Sequence, residues 1–426
     1  MIERIFVANT FFHLANNAIL DQNSLMKSHL PLAILFLIAN FASAQSDSSL
    51  DSIAAAHKET FVYEADSFSG NSLDSLLAEI NNHQYILIGE QHHTNEVPSF
   101  IRYLLQKVNF DNYIMEGNQS VTNLLSETLK KSERDYDDLL ERYTDRFGFY
   151  TFEKDRELLE YFVLANKPVI ELDQVFASSD VPLLDELSKS TMNEKAKAVY
   201  QELMNIAEIR WSAYKNNPDV QPPFDLNGLP LLFSEELSTK LHPLLSQEIS
   251  AKERQIIQDL LQSNAIYTMA IAGRGLQSHE MRISLMKKNL LANQHTLAGK
   301  KNLFKFGANH VTKHKSLGQG TPDIGNFALN LADAEGERSL HIAIMEKSGE
   351  VGGLFGENVP TDGLPYLKSF TDLCQSPTEW LLFDLNKVNS QIKKKHVNLK
   401  SAALINFIDG FDYLIIIPEV SPQSKM

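Results

Sequence analysis

The residues of this 426-residue chain best suited to chemistry stand together in Gly89-Glu90-Gln91-His92-His93. Histidine exchanges a proton near neutral pH, and a neighbouring carboxylate fixes its tautomer and raises its basicity. Either His92 or His93 would serve as a base that activates water; a polar turn would use the same residues. Further candidates lie far along the chain. Glu116 closes the apolar run Tyr113-Ile114-Met115, where an ionised carboxylate is costly unless a cation or donor meets it. The motif histidines and Arg282 are its natural partners. Asp173 follows Pro168-Val169-Ile170-Glu171-Leu172 and suits either a helix cap or a substrate contact. Arg282 lies in His279-Glu280-Met281-Arg282-Ile283-Ser284. Its planar fork would hold a substrate oxygen or neutralise an oxyanion if it faces the site, and would form a surface ion pair otherwise. His310 ends Gly307-Ala308-Asn309-His310 after the run Leu303-Phe304-Lys305-Phe306, with Asn309 beside it as a candidate substrate contact. His83, His242, His279 and His341 read as surface or packing residues.

For these side chains to meet, the apolar runs before them must be strands of one sheet. Tyr85-Ile86-Leu87-Ile88, Tyr113-Ile114-Met115 and Pro168 to Leu172 are short and continuously apolar, as buried parallel strands require. Between the first two, Val97, Phe100, Ile101, Leu104 and Leu105 recur at helical spacing, which makes a strand, helix, strand unit. In such sheets the carboxyl ends of the strands face a common crevice where ligands bind. Glu90, His92, His93, Glu116 and Asp173 would converge there. The predicted class is therefore α/β, a mostly parallel central sheet flanked by helices. From about 180 to about 294 strand patterns give way to long amphipathic ones, read as a helical insertion or lid. Strand runs resume at Leu303 to Phe306, Leu340 to Met345, Trp380 to Phe383 and Tyr413 to Ile417. Residues 70–426 thus read as a single domain with an insertion, and the Ser/Asp-rich stretch 45–69 as a polar leader.

Lys and Arg total 39 against 54 Asp and Glu, a net charge of −15, and no basic stripe interleaved with aromatics occurs. A phosphate backbone would be repelled, which excludes nucleic acid as the expected partner. Met26-Lys27-Ser28-His29, the apolar run Leu30 to Phe41 and Ala42-Ser43-Ala44 have the order of a secretory signal peptide. Residues 1–44 are expected to be an upstream segment and signal peptide, with Met26 the true start and the product exported to the periplasm or beyond. The apolar run is short of the roughly 18 residues that a bilayer span needs, so the mature chain is expected to carry no stable membrane span. Cys374 is the single cysteine, so no internal disulfide can form. The chain has no Gly-x-Ser-x-Gly elbow, no Gly-x-x-x-x-Gly-Lys loop and no paired cysteines for zinc.

Four stretches together resemble the erythromycin-esterase-like family, within a wider group that includes haem-iron uptake lipoproteins and Wnt-cleaving metalloproteases. Gly89 to His93 is similar to Gly-Glu-x-x-His, with Glu116 following the second strand; Arg282, Met286 and Asn289 are similar to Arg-x-x-x-Met-x-x-Asn; Phe306 to Val311 resembles the Gly-x-x-His segment; and Phe411 to Ile416 resembles the closing strand. The likeness runs from Leu73 to Pro422. Ile283 and Thr94 depart from the pattern, and His92 also satisfies Gly-Glu-x-His, the spacing of the haem-iron branch. The resemblance implies a cofactor-free hydrolase of a small-molecule ester, lactone or related acyl bond. His93 or His92 would be the base, Glu90 and Glu116 would orient it and the water, and Arg282 and His310 would stabilise the oxyanion or hold substrate. Two alternatives stay open: a metal-dependent peptidase that uses Glu90, His92, His93, Glu116 and His310 as ligands of a divalent ion, and a non-enzymatic haem or iron binder.

Overall fold

A computed structural model describes residues 48–65, 67–216, 228–353 and 357–425. The signal-peptide segment lies outside these described residues. In chain order the main elements begin with α1 (Ser48–Ala56), β1 (Glu59–Glu64), β2 (Ser67–Ser69), α2 (Asn71–Asn81) and β3 (Tyr85–Glu90). They continue with α3 (Glu96–Lys107), β4 (Asn112–Met115), α4 (Gln119–Lys131), α5 (Glu133–Arg142), α6 (Glu153–Leu164) and β5 (Val169–Glu171). A helical block follows, with α7 (Asp180–Ser190), α8 (Glu194–Asn216), α9 (Glu235–Leu241), α10 (Ala251–Ile271) and α11 (Gly275–Ala292). The chain then returns through β6 (Asn302–Gly307), α12 (Ile324–Ala334), β7 (Ser339–Glu346), β8 (Gly349–Val351), β9 (Val359–Thr361), β10 (Glu379–Asp384), α13 (Leu385–Lys394), α14 (Ala402–Gly410) and β11 (Tyr413–Ile417).

Nine strands form one sheet in the order β2-β1-β10-β11-β7-β3-β6-β4-β5. The six from β11 to β5 are parallel, and β10, β1 and β2 add an antiparallel edge. β3 lies in the middle, between β6 and β7, and all of its residues are buried. That burial is why its sequence reads as continuously apolar. Both of its neighbours come after the helical block in sequence, so the centre of the sheet closes only through long-range pairing.

The pleat divides the core into two layers. Ile86 and Ile88 of β3 join Leu303, Leu340, Ile342 and Ile344 on one face. Tyr85 and Leu87 join Phe304, Phe306, Ala343 and Met345 on the other. Lys305 of β6 pairs in register with Ile88 and Met115 and, by alternation, projects on the face of Leu303, where its neighbours are apolar. A lysine at that position demands buried counter-charges.

Residues 48–65 and 67–69, inside the stretch read as a polar leader, form a helix and two strands. Within them α1 buries Leu50, Ile53 and Ala54 in the core, and β1 pairs antiparallel with β10 while β2 extends the edge. The alternation in Glu59-Thr60-Phe61-Val62-Tyr63-Glu64 is that of a strand with one buried face and Phe61 turned inward, a pattern masked by the polar residues around it. The hairpin of β8 and β9 was likewise not expected. His341 is a packing residue, as expected: it is fully buried in β7 with its Nδ1 2.7 Å from the Val311 carbonyl.

Candidate functional site

The carboxyl ends of β3, β4, β5 and β6 meet on one edge of the sheet, and six of the candidate side chains form a continuous polar network there. Glu90 ends β3, and its Oε1 lies 2.9 Å from Nδ1 of His92. His92 Nε2 stands 3.5 Å from Oε2 of Glu116, just past β4. The other Glu116 oxygen, Oε1, lies 3.4 Å from Nε2 of His310, so the two imidazoles bracket one carboxylate. Glu116 is also fixed by the Gly307 amide, which donates to Oε2 at 2.8 Å, and by Arg282, whose Nη2 donates to Oε1 at 2.7 Å. Arg282 Nε donates to both oxygens of Asp173 at 2.9 and 3.0 Å, and Nη2 donates to Asp173 as well. Asp323 completes the set by holding His310 Nδ1 at 2.8 Å.

Local sequence explains this convergence. Gly307 is a glycine because a Cβ there would stand 2.8 Å from His92 Nε2. Gly89 is one because a Cβ would meet the backbone of Ala308 at 2.8 Å. Asn118 caps α4, accepting from the amides of Ser120 and Val121, and the Glu116 carboxylate turns to the site. Arg282 and Asn289 lie two turns apart on one face of α11, and the Asn289 amide donates to the Leu172 carbonyl at 2.8 Å. The helical block is thereby pinned to the end of β5 and delivers its arginine across the strand ends.

Burial favours the uncharged form of every group here, and the neighbours decide which groups keep a charge. Burial pushes the Glu116 carboxyl up, but His310, His92, Arg282 and the Gly307 amide together outweigh it and hold Glu116 well below the usual carboxylate range. Burial likewise opposes a charge on His310, yet Asp323 and Glu116 raise its pKa above the ordinary value. The site therefore contains a carboxylate that stays ionised beside an imidazole that favours its proton.

The two motif histidines part company. His92 faces the carboxylates. His93 has a positive φ of 64°, which turns its ring away to stack on Phe152 with centroids 4.2 Å apart. Its Nδ1 is buried with no hydrogen-bond partner among the described residues, and burial drives its pKa well below the ordinary value. Asn309 also stands apart: its Oδ1 accepts from the Gly318 amide at 2.6 Å and its Nδ2 donates to Gln319 at 3.3 Å, so it shapes the loop after β6.

Beyond the expected set, Lys305, Asp155 and His279 join Asp323 at the site. Lys305, with its side chain 1% exposed, places Nζ 2.5 Å from Glu90 Oε1 and 2.8 Å from Asp155 Oδ1. Burial works against its charge, but Asp155 and Glu90 outweigh it and hold the ammonium firmly protonated. His279, one turn before Arg282 on α11, is buried with its ring centroid 6.1 Å from that of His310, and burial with the nearby His310 pulls its pKa down to about 4. It is thus a neutral packing residue, but at the site rather than on the surface. A lysine inside an apolar strand run was a visible signal for Lys305; nothing local marks Asp155.

Among the described residues no group of three His, Cys, Asp or Glu side chains is arranged to hold a metal, and Lys305, Arg282 and the Gly307 amide already engage the carboxylates of Glu90 and Glu116. Both ring nitrogens of His92 and of His310 are turned to carboxylates.

No protein-family model matches the chain, and no curated protein matches it. Solved structures do share its fold. A Bacillus cereus protein is similar with a TM-score of 0.54 at 17% identity, over 88% of this chain and 99% of that one. A mutant erythromycin esterase in its open conformation is similar with a TM-score of 0.53 at 16% identity, over 86% and 98%. A succinoglycan biosynthesis protein is similar with a TM-score of 0.51 at 15% identity, over 89% and 99%. The resemblance read from the four motifs is met at the level of the fold.

Proposed function

We propose that the chain is a hydrolase of a small-molecule ester, lactone or related acyl bond, with His92 as the base. The observation that carries this reading is the placement of His92, with Nδ1 on Glu90 and Nε2 3.5 Å from Glu116 Oε2. An Nδ1–H that donates to Glu90 leaves the Nε2 lone pair free. The gap between Nε2 and Oε2 is too long for a strong direct bond and suits a water held by both. His92 would take that water's proton as the oxygen attacks the carbonyl, then return it to the departing alkoxide. Arg282 and protonated His310 lie beside the same carboxylate and would meet the oxyanion. Glu116, kept ionised, acts as an acceptor that orients the water and the two cations. A fold shared with an erythromycin esterase supports acyl hydrolysis as the chemical class.

We also infer export, from the signal-peptide order of residues 26–44. Among the described residues no helix is long and apolar enough to cross a membrane.

The test is a panel of p-nitrophenyl esters, lactones and amides hydrolysed by the purified parent, His92→Ala and His93→Ala. His92→Ala should lose about 100-fold or more in kcat. His93→Ala should keep its turnover while losing stability, because it removes a stacked ring. Full activity in His92→Ala would overturn the reading.

A further inference from the structure

Residues 418–425 run across the carboxyl edge of the sheet, against the loop after β3 and the start of α6. Thr94 bridges to Pro422, and Phe152 bridges to Lys425. The Asn95 amide donates to the Ser421 carbonyl at 2.9 Å, and the Glu153 amide donates to the Ser424 carbonyl at 3.0 Å. Gln423 sits at the centre of this strap, and its residue is 4% exposed. Its backbone amide donates to the His93 carbonyl at 3.0 Å, which pins the loop that carries His92. Its side chain grips one residue from two sides: Nε2 donates to Asp155 Oδ2 at 2.9 Å, and Oε1 accepts from the Asp155 amide at 3.3 Å.

From Asp155 the contacts continue inward. The second oxygen, Oδ1, lies 2.8 Å from Lys305 Nζ, and Nζ lies 2.5 Å from Glu90 Oε1. His92 Nδ1 approaches that same Glu90 oxygen, at 2.9 Å. One carboxylate oxygen is therefore shared by the lysine and by the imidazole. How strongly it accepts from the imidazole depends on how far the ammonium is drawn away toward Asp155.

We propose that Gln423 is a positioning residue of the site, acting through Asp155, Lys305 and Glu90 to hold His92 in the tautomer that leaves Nε2 free. With the Gln423 amide in place, Asp155 stays fixed and takes its share of the lysine. Without it, the lysine falls wholly to Glu90, which then accepts less well from His92 Nδ1–H. The tautomer with the proton on Nε2, facing Glu116, gains. Glu116 and His93 also lie close to His92, and Tyr113 feels the charges of Asp155 and Glu90. Burial keeps both His93 and Tyr113 neutral, so the lysine balance is the variable that Gln423 moves. The kinetic consequence rests on His92 being the base; the tautomer does not.

The test uses Gln423→Met, which keeps the length and loses the amide, and Asp155→Asn, which removes the charge that competes for Lys305. Histidine nitrogen shifts of the 15N-labelled full chain, with His92 assigned by its loss in His92→Ala, report the tautomer without any substrate. The parent should show Nδ1–H, and both variants should gain Nε2–H. With p-nitrophenyl acetate as the probe, kcat should fall about 10- to 100-fold, the usual cost of losing an outer-shell orienting partner, with KM within about twofold because no proposed substrate contact changes. An unchanged His92 tautomer in either folded variant overturns the relay, whether or not the parent hydrolyses the ester. A shifted tautomer with no esterase activity in the parent upholds the relay and counts against the hydrolase.

Discussion

Replacing Lys305 with methionine tests the buried charge arrangement most directly. The substitution keeps the length of the side chain and removes an ammonium that lies 2.5 Å from Glu90 and 2.8 Å from Asp155 in a side chain 1% exposed. Two carboxylates would then share a dry space without a cation, and one of them must take a proton. For a carboxyl of ordinary pKa, about 4, protonation at pH 7 costs about 4 kcal/mol. That agrees with the roughly 3–5 kcal/mol lost when one partner of a buried ion pair is removed. At pH 5 the same proton costs only about 1.4 kcal/mol, so most of the deficit should vanish there. Urea unfolding followed by the fluorescence of buried Trp211 and Trp380 reads both values. With an m of about 3 kcal/mol/M, the midpoint of Lys305→Met should fall by about 1.3 M at pH 7 and by about 0.5 M at pH 5. Adding Asp155→Asn should restore part of the loss at pH 7, because the second carboxylate is then gone. A midpoint within about 0.3 M of the parent at pH 7, or a deficit equal at the two pH values, would refute the reasoning.

Two further outcomes follow from the same geometry. Burial draws His279 and His341 from the ordinary 6.5 down to about 4, so the unfolded chain binds protons in that window that the folded chain refuses. Stability from this source is complete above pH 6.5, falls as pH drops toward 4, and stays lost below it. His341→Gln should remove about 1.4 kcal/mol per pH unit from the acid slope between those values, the contribution of one proton, as read by urea unfolding at stepped pH. Arg282→Lys keeps the charge but loses the fork that spans Asp173 and Glu116. It should lower kcat/KM on a responsive ester by about 10- to 100-fold, equivalent to losing roughly 1.5–3 kcal/mol of charge-assisted hydrogen bonding; activity equal to the parent would show that the bidentate grip is dispensable.

Local pattern was enough for much of this architecture. Burial on both faces makes parallel strands continuously apolar, so β3, β4, β5, β6, β7 and β11 announced themselves, and helical periodicity marked α3 and the long stretch before β6. Since parallel strands share a direction, the strand ends also placed Glu90, Glu116, Asp173 and His310 on one edge without any coordinates. Strand β1 escaped because one half-buried face among Ser, Asp and Glu gives too little alternation to stand out. Within the motif, sequence order could not separate His92 from His93. Adjacent residues at a turn point in different directions, and only the positive φ of His93 sends its ring to Phe152 and leaves His92 with the carboxylates. The partners that tune the site lie farther still: Asp155 is 65 residues from Glu90, which is 215 from Lys305, and Gln423 is 268 from Asp155. The sequence by itself determined which strands form and which side chains stand at their ends, because both follow from local periodicity. Which imidazole faces the carboxylates, and which buried cation governs them, was decided only by the tertiary fold, because charges act through space and not along the chain.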